Sequence, residues 1–120
     1  MIRLPLLAGL LLSAIFWTRP AATVHTWPSA IPTLAAVRPT FAVNLKNGSV
    51  HVGGHAPNSP EGLMADLRAA YAADGWRECP VSERLSDFAL FVKGPSVAAA
   101  VIRKTEQGSF ISIVQRPKGL

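Results

Sequence analysis

The sequence predicts an α+β protein: an N-terminal hydrophobic helix, a Pro-rich linker, then a small antiparallel sheet of about five strands with one helix packed on one face. The expected order in the folded part is β-β-α-β-β-β. Three observations carry this. The run Leu4 to Trp17 contains no charged residue, four prolines fall between Arg19 and Thr40, and beyond them period-two apolar alternation surrounds one stretch of four-residue apolar spacing. The corresponding divisions are 1–18 (signal peptide or membrane anchor), 19–40 (linker) and 41–117 (the α+β domain).

Arg3 and the terminal amine give the apolar run a positive leading end. As a helix, Leu4–Trp17 would reach about 21 Å, short of the ~30 Å hydrocarbon core of a bilayer, which suits the apolar part of an export signal. Cleavage needs small residues two positions apart, and the sequence offers poor choices: Leu12-Ser13-Ala14 lies too early, and Pro20-Ala21-Ala22 begins with proline. Trp17 followed by Arg19 instead resembles an interfacial aromatic and a charged stop. Both readings place the remainder outside the cytoplasm, in the periplasm or extracellular space. An uncleaved segment would anchor the chain in the inner membrane through residues 4–17.

Pro20, Pro28, Pro32 and Pro39 oppose both helix and central strand and favour extended chain. A semi-rigid stalk is the expectation for 19–40. Pro28 and Pro32 have the wrong spacing for a PxxP ligand.

In the folded part, Asn47-Gly48 reads as a two-residue type I′ hairpin turn. That turn would pair Leu45 with Val50 and Val43 with Val52, placing all four on one face and Asn44, Lys46, Ser49 and His51 on the other. Ser59 followed by Pro60 has the form of a helix cap and first turn, with Glu61 and Asp66 near the positive end of the dipole. Leu63, Leu67 and Tyr71, flanked by Met64 and Ala70, make the buried stripe. Gly75 stops the helix, and Trp76 stands where a hydrophobic residue folds back on the last turn. Extended stretches follow: Trp76–Cys79, stopped by Pro80, then Phe88–Val92, then a hairpin of Val97–Arg103 and Phe110–Gln115 about Glu106-Gln107-Gly108.

Tyr71–Trp76 and Phe91-Val92-Lys93-Gly94 give the chain a resemblance to small exported bacterial modules, in which a helix ending in Gly-Trp leads into a β-meander with a Phe-x-Lys-Gly turn. The resemblance covers about half of the chain and implies the α+β fold and export. It implies no activity.

The formal charge of +5 falls to +3 without Arg3 and Arg19, a mildly basic surface with no nucleic-acid footprint. Cys79 is the single cysteine. It is expected as a half-buried strand residue, the alternative being an intermolecular disulfide. No Gly-x-Ser-x-Gly elbow, phosphate loop or paired carboxylate occurs. No catalytic, cofactor-binding or metal-binding residue is therefore assigned, and no small-molecule substrate is identified. His51 and His55, separated by Gly53-Gly54, are the only constellation that suggests chemistry; His25 falls in the linker. The function expected is a non-enzymatic protein-interaction module of the cell envelope that meets an envelope protein through a sheet face or edge. The alternative is a small secreted hydrolase or metal-binding protein using His51 and His55.

Overall fold

The computed structural model describes residues 26–117. The N-terminal segment 1–18, with its expected helix, lies outside the described residues, as do His25 and Lys118. The folded part is one antiparallel sheet with a helix on one face, as the sequence predicts, but the sheet has six strands, not five. The elements are β1 (Arg38–Asn44), β2 (Val50–Ala56), α1 (Pro60–Ala73), β3 (Arg77–Cys79), a 3-10 turn at Glu83–Leu85, β4 (Phe88–Lys93), β5 (Ser96–Thr105) and β6 (Gly108–Arg116). They lie side by side in the order β1-β2-β6-β5-β4-β3. All four extended stretches expected after the helix are strands, one more than the expected order counted; the first of them, Arg77–Cys79, pairs through its three residues with Val92, Phe91 and Leu90. Pro80 ends it there, because proline has no N–H to extend the ladder.

The helix forms for the reasons its sequence suggests. Ser59 Oγ accepts from Gly62 N at 3.1 Å. Gly75 takes φ +86° just past the helix end, and Trp76 N donates to Tyr71 O at 3.0 Å. That closure folds the Trp76 indole onto Tyr71, with ring centroids 5.2 Å apart. Leu63, Met64, Leu67 and Tyr71 are the buried face. They rest on a sheet surface made close by Ala89, Ala98 and Ala100 and filled by Phe91, Ile102, Ile111 and Ile113, all buried. The Tyr71 ring stacks on Phe91 at 4.4 Å.

The first hairpin departs from expectation by one residue. Asn44 pairs with Val50, Val43 with His51 and Ala42 with Val52. The connection is a three-residue loop, Lys46-Asn47-Gly48, closed by Leu45 N donating to Ser49 O at 2.8 Å. Gly48 takes the left-handed position at φ +86°, and Asn47 Oδ1 accepts from Ser49 N at 2.9 Å. A one-residue slip moves every side chain of a strand to the opposite face. Val50 and Val52 remain in the core, whereas Val43 and Leu45 lie on the far side, 44% and 47% exposed.

The second difference concerns the proline-rich stretch. Ile31, Leu34 and Val37 are buried members of the core, so this part of the segment expected as a stalk packs as a second cover beside α1. Two turns shape it, Ile31 N to Pro28 O at 3.2 Å and Val37 N to Leu34 O at 3.0 Å. Trp27 Nε1 donates to Ile31 O at 3.0 Å. A buried polar chain ties this cover to the rest. Tyr71 Oη donates to Gln115 Oε1 at 2.9 Å, and Gln115 Nε2 donates to Ala30 O at 2.6 Å. Helix, central strand and N-terminal cover therefore meet at one glutamine amide.

Ile31→Ala is expected to destabilise the chain by about 2–5 kcal/mol in denaturant unfolding, as for other buried large-to-small changes; a stalk residue would lose almost nothing. Tyr71 provides a pH test. Burial, and then the Asp74 carboxylate, raise its phenol well above the ordinary value of 10.0. A folded pKa above the unfolded one means that this contribution is complete below about pH 10 and is lost as pH rises beyond it. The unfolding midpoint of the wild type should therefore fall more steeply above pH 10 than that of Tyr71→Phe, which at pH 7 is the less stable by about 1 kcal/mol through the lost hydrogen bond.

Candidate interaction face

Strand alternation sends half of the sheet's side chains away from α1, and among the described residues little covers them. Cross-strand pairs define the rows of this second face. One row runs Cys79, Leu90, Ala99, Val114, His51, Val43, and the next Phe88, Val101, Ser112, Gly53, Phe41. On β4, β5 and β6 these residues are only partly buried, while their immediate neighbours on the helix side are fully buried. Six strands about 4.8 Å apart and some seven residues long give a face on the order of 500 Å². That outline holds His51, Ser112 and arginines as well as apolar side chains, of which Val43 and Leu45 are exposed and the rest partly buried; an apolar patch of this kind is a candidate interaction site.

The face has two regions. Toward β1 and β2 an aromatic group lies over Gly53, where a Cβ would collide with the Phe41 ring. Phe41 meets His51 edge-on with centroids 4.9 Å apart, and His55 meets Phe110 at 5.0 Å. Toward β4, β5 and β6 lies an open trough of about 450 Å³, with Leu90, Val97, Ala99 and Val114 among its lining residues. Ala99 makes the hollow, since its neighbours in the row are larger.

The sheet edges are less inviting. β3 is three residues long and is followed by Pro80. β1 carries Pro39 and a break in register between Pro39 and Phe41. Short edges, prolines and irregular register all discourage added strands.

The histidines fall on this face but are not brought together. His51 and His55 are four residues apart on β2, about 13 Å along an extended strand, whereas zinc needs each nitrogen within ~2 Å. His51 Nε2 lies 2.8 Å from Ser112 Oγ in a hydrogen bond. Among the described residues, no group of three or more His, Cys, Asp or Glu side chains is placed to hold a metal ion. Cys79 is a free, half-buried thiol, at the β3 end of the row that carries Leu90. Arg103 and Arg68 pair with Asp87 and Glu78.

Sequence reasoning expects contact through a sheet face or edge but does not say which face. The two-residue turn puts Val43 and Leu45 on one face with Val50 and Val52, and the apolar positions of β5 and β6 are assigned to no side. The available signal was their continuity: Val97 to Ile102 has no polar residue, which marks a strand apolar on both faces. No protein-family model, curated protein or solved structure matches the chain.

Proposed function

We propose that this chain is an exported or membrane-tethered, non-enzymatic interaction module of the cell envelope, and that it docks its uncovered sheet face on an envelope protein. The supporting observation is the partly apolar second face of the sheet, left open by the described residues, which have one α-helix to cover two sides. Blunted edges favour the face over strand addition as the mode of contact. The apolar run Leu4–Trp17 and the positive charge before it support export. No helix of the described residues is long and apolar enough to cross a membrane, so a tether, if retained, belongs to the N-terminal segment.

A photocrosslinking amino acid at Val101, in the middle of the face, is expected to trap one discrete envelope protein in intact cells. The same group at Ala72, exposed on α1, should not trap it, and Phe110→Glu should suppress the Val101 adduct without loss of the folded chain. Equal adducts from both positions, or none from Val101, would contradict the proposal.

A further inference from the structure

Cations stand at both ends of the uncovered face: Arg38 and Arg103 in the row Arg38–His55–Phe110–Arg103, where Arg103 pairs with Asp87, and Arg77 and Arg116 at the end that holds the trough. The pairs Arg77–Val92, Val92–Val97 and Val97–Arg116 form one row across four strands. Ser49 stands one step beyond the Val50–Gln115 pair, beside Arg116. Lys46, in the β1–β2 loop, belongs to the same end. Among the described residues the ion pairs are Arg68–Glu78, Lys93–Asp74 and Arg103–Asp87, so Arg77, Arg116 and Lys46 face no carboxylate partner. Both Arg116 and Ser49 line the 450 Å³ trough. The Ser49 Oγ is buried and has no hydrogen-bond partner, the one such side-chain atom among the described residues.

A trough built for an apolar side chain alone requires neither a cation nor a free hydroxyl at its end. An unpaired buried hydroxyl costs about 1–3 kcal/mol, and a guanidinium is well shaped to receive a carboxylate through paired N–H donors. We propose that the trough takes one fatty-acid anion, with its acyl chain along the floor at Ala99 between Leu90 and Val114 and its carboxylate at Arg116 beside Ser49. The volume lies within the range of ordinary ligand pockets, about 300–1,000 Å³, and Arg116 is the one cation that lines it, as one chain with one head group requires. This inference rests on the uncovered face being the binding surface. It leaves the aromatic region at Phe41, Phe110 and His55 to a protein.

The test uses the full chain in zwitterionic phosphatidylcholine vesicles with a palmitate analogue carrying a diazirine in its acyl chain. After irradiation and digestion, label should concentrate on peptides covering 88–101 and 108–117. Excess palmitate should compete it away, and hexadecanol, which lacks the anionic head, should not. Ala99→Phe, which fills the floor, and Arg116→Glu should each reduce labelling about tenfold or more, equivalent to at least 1.4 kcal/mol of binding. Arg116→Lys should retain part of it, and the thermal midpoint of each variant reports whether the fold survives. Label confined to the N-terminal segment, spread evenly over the whole face, equal in the folded variants, or replaced by chain-to-chain adducts would overturn the proposal. If labelling fails while the Val101 crosslink to an envelope protein persists, the fatty-acid site is wrong and the interaction face stands.

Discussion

A sheet with apolar residues on both faces needs two covers, and the described residues supply their covering elements to one side. The α1 helix is 14 residues long, which gives about 21 Å of length. It does not span all six strands, so the Trp27–Val37 segment is laid beside it. The Gln115 amide holds this arrangement together. Its oxygen receives the Tyr71 hydroxyl and its nitrogen reaches the Ala30 carbonyl, so each polar atom is satisfied by a different covering element. Burial of such a group without partners would oppose folding. With them, it fixes where helix and N-terminal cover sit against β6. Among the described residues, the far face then remains open as a consequence of supply.

The small residues of the sheet serve the two faces differently. Ala98 and Ala100 are buried beneath the helix side, where their size allows Tyr71, Leu67 and Leu63 to approach. Ala99 points the other way and leaves a hollow. One run of three alanines in β5 thus closes one surface and opens the other. Gly53 does similar work nearer β1, admitting the Phe41 ring over the strand. The surface that results is shaped, with a trough at one end and an aromatic cluster at the other, and Arg116 stands at the trough end.

Those parts of the fold governed by local chemistry were legible in the sequence. The Ser59-Pro60 start, the Leu63/Leu67/Tyr71 stripe and the Gly75-Trp76 stop each follow from the geometry of a few consecutive residues, and the structure has all of them. Register was not legible to one residue, because Asn-Gly serves a three-residue loop as readily as a two-residue one: Gly48 needs only a left-handed position, which both provide. The Trp27–Val37 cover was hidden by its prolines, whose spacing reads as extended chain. Its three buried residues, Ile31, Leu34 and Val37, gain their meaning only from contact with distant strands. The candidate face was hidden for a related reason, since a strand apolar on both sides does not reveal which side lacks a cover.

The central claim is that the open face is covered in the cell envelope and bare in the isolated chain. The most direct measurement is thiol accessibility at Val101→Cys in a Cys79→Ser background, comparing intact envelopes with the purified chain. The account predicts slow maleimide labelling in envelopes and fast labelling once purified, while a cysteine at Ala72 reacts alike in both. Equal and rapid reaction of Val101→Cys in both settings would contradict it.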